Sequence, residues 1–538
     1  VSPISRRAFL KSAAQAGLFC AVPSLAGAAA LSSGDTVCIS IFHTTDLHGH
    51  ILPTSDYHGV NDLGGFARCA AQIRKWRRQN RNSILIDVGD VYQGTEVGLR
   101  SKGELMIDLF NHLKYDAWIA GNHEFDWGIE TFANACARST MPVLAANAVI
   151  EGKVAGDISD SRNPFSGIQP AIVKEIAGIK IAVIGVTTPG MPFWHRPEFL
   201  GGIEFQHPAG PVRRAIAKAK SDGADAIVLA GHMGLKARTG GDDFANSVMA
   251  LTSEFPNVAA FIAGHTHQPI PSRLTNGVLL TQADHFGIHL GRVDLFFDRN
   301  SKRLLDRQAT CALMDKQVRL DRVVLSRAKP ALDQAEIALN QPIGELADTL
   351  HVRAQPGEPS DVEKLIGAAM MEALQQQGVA VDGALHGLFD QKSDLPPGPK
   401  TVGDVWNILP YENYIVTAAL TPEQIKMALE EIYVSHETRS LLGLRVLTEG
   451  RGYDRRVVSI TRDDGQPLVR DQRYVIALNS FDSRSAGHRF MKLRAFVEAP
   501  EANCRLHQVQ TRDALIEYFQ RHQMVRRIAR GPVFGLAA

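Results

Sequence analysis

Five short polar clusters constrain this chain more than any other feature, because each directly follows an apolar run. They are Asp46-Leu47-His48, Gly89-Asp90, Gly121-Asn122-His123-Glu124, Gly231-His232 and Gly264-His265-Thr266-His267. The runs before them read as strands: Cys38 to Phe42, Ile84 to Val88, Trp118 to Ala120, Ala226 to Ala230 and Ala259 to Ile262. Asp, Asn and His are thereby delivered repeatedly to what should be the carboxyl edge of one sheet, where α/β folds place their sites. A lone Asp-x-His or Gly-Asn-His is an ordinary turn; five such clusters in this order, each at a strand end, are not. Oxygen and imidazole donors without thiolate suit two divalent ions of borderline-to-hard character, such as Mn, Zn, Fe, Mg or Co. A glycine before a cluster permits a sharp exit from the strand.

The 538 residues exceed what one ordinary domain needs. From 35 to 315, strand-like runs alternate with helical patterns (Gly65 to Gln79, Glu104 to Leu113, Ile129 to Ala137, Val212 to Ser221), the rhythm of a layered α/β domain. Residues 316–342 carry a charged helical pattern that reads as a linker, and a second unit follows over 343–525. A formal net charge of +1 gives no global field for a nucleic-acid polymer or an anionic membrane. The basic run Arg74-Lys75-Trp76-Arg77-Arg78 ends a helix, where it complements the dipole and faces solvent. Past the N-terminus no apolar run reaches the ~18 residues of a membrane span.

Ser5-Arg6-Arg7-Ala8-Phe9-Leu10-Lys11 matches a twin-arginine export signal, and Ala26-Gly27-Ala28 fits its cleavage site. Residues 1–28 therefore read as a signal peptide that engages the twin-arginine export machinery, with the periplasm or the exterior as destination. The mature chain keeps Cys38, Cys69, Cys136, Cys311 and Cys504. The first three lie in apolar patterns and should be buried; a disulfide involving Cys311 or Cys504 is left open by the sequence.

The stretches His43-Thr44-Thr45-Asp46-Leu47-His48-Gly49-His50, Gly64-Gly65-Phe66-Ala67-Arg68, Asp87-Val88-Gly89-Asp90, Gly121 to Gly128 and Gly264 to His267 together resemble the calcineurin-like metallophosphoesterases. Within them the chain is most similar to the bacterial 5′-nucleotidase and nucleotide-sugar hydrolase group. Gly403-Asp404-Val405-Trp406, Leu409 to Tyr414, Leu420 to Ile425 and Tyr474 to Phe481 resemble the C-terminal domain of that group. The resemblance implies an α/β fold: an N-terminal layered α/β/β/α sandwich plus a smaller α/β substrate domain. It implies that Asp46, His48 and His267 hold one metal, that Asn122, His232 and His265 hold the other, and that Asp90 bridges them. The spacings agree, since residues two apart in an extended segment point to the same side.

Such a site needs a nucleophile, charge neutralisation and help for the leaving group. A water bridging two divalent ions loses its proton near neutral pH and can attack phosphorus in line. His123 follows the ligand Asn122 and should project beside the metals, stabilising the transition state or protonating the leaving oxygen. Asp126, three residues on, would orient it, although a lone Asp before a helix commonly serves as its N-cap. His50, His58 and His195 are weaker candidates for the rim of the site, while His43, His285 and His289 read as structural.

The family's nucleoside-binding features are altered. Ala384 to Asp390 lacks the family's Gly-Gly-Ile-Arg, and Asn479 to Phe490 lacks its Gly-Gly-Asp. Phe481 keeps the position of one base-stacking aromatic, whereas Leu441-Leu442-Gly443-Leu444 offers no ring for the other. Arg353, Arg484 and Arg489 are the arginines available to replace the missing one. The expected activity is a dimetal-dependent periplasmic phosphoesterase acting on a small-molecule phosphoester, chiefly 5′-nucleotides or related monoesters. A cyclic-nucleotide, nucleotide-sugar or thiosulfo-ester hydrolase is the enzymatic alternative, and a non-catalytic metal-holding protein is the other. Sulfur–oxygen hydrolases of this kind carry Trp where His123 stands, and pure binding needs no leaving-group acid.

Overall fold

A computed structural model of the chain describes residues 35–154, 167–236, 240–353, 359–388, 394–435, 439–450 and 454–528. The expected leader at 1–28 and the end of the Ala384 to Asp390 stretch lie outside them. The strand Thr36–Thr44 pairs in parallel with Ser83–Asp87 and antiparallel with His289–Asp298. It is a central strand of a seven-stranded sheet that also holds Leu304–Leu313, Ala117–Ile119, Val143–Leu144 and Ile168–Gln169. A six-stranded sheet runs in the order Pro269–Thr275, Val278–Ala283, Ala260–Ala263, Ala226–Gly231, Ile179–Val186, Ala171–Ile176.

Period-two alternation sorts the strand residues into layers. Ile39, Ile41, Ile84 and Ile86 pack with Ile181, Val183, Val228, Ala230 and Ile262 between the two sheets. Phe42 and Leu85 face the other way, onto Phe66, Ile73 and Trp76 of the helix Phe66–Gln79. On the far side, Ile184, Leu229 and Phe261 meet Val212, Ala215 and Leu251 from two further helices. The result is a four-layered α/β/β/α sandwich.

The five clusters therefore end strands of two facing sheets, and the expectation of one sheet edge is corrected. Ala226–Gly231 and Ala260–Ala263 belong to the six-stranded sheet, the other three to the seven-stranded one. Both sheets are buried on both faces, so their strands carry the same continuous apolar signature.

The helix Arg322–Leu339 falls within the expected linker but is no free tether. Asp321 caps it by accepting from Val323 and Val324 N–H and takes a 2.7 Å ion pair from Arg74, while Val324 and Ala328 are buried in the first unit's outer core. Arg74 is thus committed to this contact, and Arg77 donates to the Leu113 and Lys114 carbonyls rather than facing only solvent. Beyond it, Gly383–His386, Tyr474–Asn479, Tyr414–Leu420 and Arg505–Gln510, with Ser440–Leu442, form a five-stranded sheet with its own core. Its helix Asp361–Gln376 begins with a reciprocal Ser360/Glu363 capping box. The five cysteines among the described residues are free thiols; Cys69 and Cys136 are buried, but Cys38 is only half-buried, beside Asp294. No helix among the described residues is long and apolar enough to cross a membrane.

Candidate metal centre

The loops that follow the strand ends are bonded to one another. Asp46 N–H donates to the Gly89 carbonyl and His48 N–H to that of Asp90, both at 2.9 Å, so two of the clusters are tied directly together. Glu124 locks a third. Its buried carboxylate accepts from the N–H groups of Gly121 (2.7 Å), Asp90 (2.9 Å) and Val91 (2.8 Å). Sequence reasoning gave Glu124 no role, although its place in Gly121-Asn122-His123-Glu124 was the available signal. Burial, and then the Asp90 charge, push its pKa up to about 7.

The glycines serve partly as expected. Gly89 has φ 97°, a left-handed backbone, but at Gly121 and Gly264 the need is space. A Cβ on Gly121 would sit 2.3 Å from Asp90 Oδ1, and one on Gly264 2.4 Å from Thr45 Oγ1. The left-handed strain falls on the polar residues themselves: Asp46, His48, Asp90, His265 and His267 all have φ between 48° and 70°. Non-glycine residues hold such angles only where the surroundings over-determine them, which is common at functional sites.

Two groups of side chains converge. Asp46, His48 and His267 form one, and Asp90, His232 and His265 the other, each with its donor atoms within 4.8 Å of one another. His48 Nε2 lies 3.2 Å from His267 Nε2 and 3.8 Å from Asp90 Oδ2, while His232 Nε2 lies 3.1 Å from both Asp90 Oδ2 and Asn122 Oδ1. Asp90 thus stands between the groups and Asn122 joins the second. The outer nitrogens are fixed: His48 Nδ1 donates to the Gln93 carbonyl at 2.9 Å and His232 Nδ1 to the Val88 carbonyl at 2.7 Å. A neutral ring that donates from Nδ1 presents a bare lone pair at Nε2. Buried lone pairs and carboxylates packed this closely fit a pair of divalent cations and would repel without positive charge between them.

His267 is supported by a feature the sequence reading missed. Tyr57 OH lies 2.7 Å from His267 Nδ1, and the His285 ring stacks parallel to His267 at 5.0 Å with Asp284 fixing its Nδ1 at 2.6 Å. His285 therefore flanks the site, and His289 joins it on Asp284. His50 stacks on Phe286 at 3.8 Å, His58 is exposed, and His43 is wholly buried.

His123 and Asp126 border a cleft of about 440 Å³ that both units line. His123 Nδ1 is 2.6 Å from Asp126 Oδ2, and its backbone N–H donates to Asp90 Oδ1 at 2.8 Å. His195 lies buried with Nδ1 3.8 Å from the other Asp126 oxygen, and burial lowers its pKa. The C-terminal unit contributes Tyr411, Tyr414, Arg439, Phe481 and Arg489 to the cleft. Two of the arginine candidates are elsewhere. Arg484 is engaged by Glu498 and by the Pro192 carbonyl at 2.6 Å, and Arg353 is exposed near Asp394. Arg439, which the sequence did not single out, comes in through a buried 2.8 Å ion pair with Asp482. No ring comes from Leu441 to Leu444, but Trp194, Phe199, Tyr411 and Tyr414 give the cleft aromatic walls from other directions.

Residues 39–269 match the calcineurin-like phosphoesterase family, and residues 342–495 match the 5′-nucleotidase C-terminal domain. The chain belongs to the calcineurin-like phosphoesterases that carry a 5′-nucleotidase C-terminal domain. The trifunctional nucleotide phosphoesterase protein YfkN of Bacillus subtilis is 24% identical over 448 residues, 74% of this chain and 30% of that protein. A 2′,3′-cyclic-nucleotide 2′-phosphodiesterase/3′-nucleotidase of Salmonella typhimurium is 27% identical over 362 residues, 60% of this chain and 54% of that protein. The chain thus spans from 30% to about half of the length of these relatives. The 5′-nucleotidase precursor of Thermus thermophilus shares the fold, with a TM-score of 0.68 at 23% identity over 92% of this chain and 98% of that one.

Proposed function

We propose that the chain is a dimetal phosphoesterase that hydrolyses small phosphate monoesters, with 5′-nucleotides or related compounds as the substrate class. The observation that carries this reading is the placement of His123–Asp126 at the edge of two abutting metal-type triads, inside one cleft shared by both units. Asp46, His48 and His267 would hold one ion, Asn122, His232 and His265 the other, with Asp90 shared. Two bound divalent ions supply Lewis acidity, acidifying water and neutralising phosphoryl charge.

The protein's own groups do the rest. Val88 and Gln93 carbonyls orient the ligand imidazoles, and Glu124 keeps three loop N–H groups in register. His123, held by Asp126, presents Nε2 toward the cleft as a proton donor for the leaving oxygen. Phe481 and Tyr411 offer faces to a base or aryl group, and stacking of that kind contributes ~1–3 kcal/mol per base. A retained leaving-group acid favours an enzyme over a metal-holding binder.

A cyclic-nucleotide substrate is the second reading, favoured by the Salmonella typhimurium relative named for that activity and by the absence of the family's Gly-Gly-Ile-Arg. The decisive experiment is a substrate panel with Mn2+: an aryl phosphate, nucleoside 5′-monophosphates, 2′,3′-cyclic nucleotides and nucleotide sugars. Turnover of the monoesters that disappears on chelation supports the first reading, and no turnover of any member removes it. The twin-arginine motif supports export to the periplasm. Replacing Arg6 and Arg7 by Lys should then hold the protein in the cytoplasm.

A further inference from the structure

The two units meet at a buried chain of contacts that leads directly to a metal-type ligand. Arg512, wholly buried, lies 3.4 Å over the Trp406 ring and donates from Nη2 to Glu412. The other Glu412 oxygen accepts from Gln93 Nε2 at 2.6 Å. Gln93 belongs to the first unit, is 0% exposed, and its backbone carbonyl is the acceptor that fixes His48 Nδ1 at 2.9 Å. Gln93 Oε1 has no hydrogen-bond partner among the described residues, so its amide is held by Glu412. A Cβ on the next residue, Gly94, would lie 2.9 Å from His48 Cβ, which leaves this loop little room to shift without moving the ring.

We propose that Glu412 is a positioning residue for the metal centre. By holding Gln93 it keeps the Gln93 carbonyl, and hence His48 Nε2, aimed into the Asp46–His48–His267 group. Docking of the C-terminal unit and metal affinity at that group are therefore coupled. Because coupling between two equilibria is reciprocal, filling that group favours the docked arrangement by the same factor. Tyr411, the neighbour of Glu412, stacks toward His123 with ring centroids 6.3 Å apart, so docking also completes the cleft wall over the acid. The sequence alone gives Glu412 no such role, since it stands 319 positions from Gln93.

The inference rests on the two-metal reading and not on which ester is cleaved. The test is Mn2+ binding by equilibrium dialysis on the full chain, without substrate. Wild type should hold two ions. Glu412→Ala should weaken one of them 10- to 100-fold, the range for lost outer-shell support, and leave the other within twofold. Glu412→Gln, which keeps one carbonyl oxygen for Gln93, should recover most of the loss, which a merely structural role would not predict. If Glu412→Ala fails to fold because Arg512 is left buried without its partner, Gln93→Ala decides. It leaves the Arg512–Glu412 pair intact and should weaken the same ion. Folded Glu412→Ala or Gln93→Ala protein that binds both ions with wild-type constants overturns the coupling. A wild-type chain that holds fewer than two ions overturns the two-metal reading itself.

Discussion

His123 Nδ1 lies 2.6 Å from Asp126 Oδ2, and no helix cap competes for that carboxylate. The following helix, Ile129–Arg138, starts from Gly128 with no side-chain cap. Burial alone would lower the His123 pKa, but the Asp126 charge and then the Asp90 charge outweigh it and hold it up at about 10. The Asp126 carboxylate on Nδ1 thus favours the protonated ring, the form a leaving-group acid requires.

His123→Ala should lower kcat by about 10²- to 10⁴-fold, the usual range for a general acid, with both metals still bound. Asp126→Ala should cost less and should move the alkaline limb of the pH–rate profile to lower pH, because the carboxylate that raises the imidazole pKa is gone. Turnover at the wild-type rate in His123→Ala would remove this role. Rate profiles and elemental analysis on the same samples read both.

Asp90→Ala should release at least one ion and reduce hydrolysis by on the order of 100-fold or more, since loss of mere outer-shell partners already costs 10- to 100-fold. Asp90 touches both triads and receives the His123 N–H, so no neighbouring group replaces it. Metal content per chain is the measurement.

His43 should make the fold acid-sensitive. It is fully buried, neither ring nitrogen has a hydrogen-bond partner among the described residues, it pairs in register with Gly291, where a Cβ would lie against its ring, and burial pushes its pKa down to about 3. Between the unfolded value of about 6.5 and pH 3 the unfolded chain binds a proton that the folded chain does not. Stability from this residue is therefore present above pH 6.5 and falls as the pH drops, by about 1.4 kcal/mol per unit. Denaturant melts from pH 7 to 4 should show this slope, reduced by one proton in His43→Leu.

Asp482→Ala should destabilise the C-terminal unit by about 3–5 kcal/mol, the range for breaking a buried ion pair by removing one partner. Arg439 and Asp482 are both buried and 2.8 Å apart, and Asn479 donates to the same carboxylate at 2.8 Å. Thermal unfolding that resolves the two units checks it.

Phe481→Ala should raise KM for nucleotides by about 5- to 150-fold, the equivalent of ~1–3 kcal/mol of stacking, and leave a small alkyl phosphate nearly unaffected. Parallel KM measurements on the two esters decide whether the ring reads a base.

The strand-end clusters, the layered α/β fold, the two-domain plan and the residue types of the two candidate metal-holding groups were legible in the amino-acid order alone. Local rules account for that: apolar runs set strands, and the polar residues that follow must emerge at the strand ends. The order could not assign those strands to two sheets, because strands buried on both faces look alike in either. Nor could it find Glu412 beneath Gln93, Tyr57 and His285 beside His267, or Arg439 rather than Arg484 at the cleft. Each depends on contact between positions far apart in sequence, and only packing of whole layers against one another creates it.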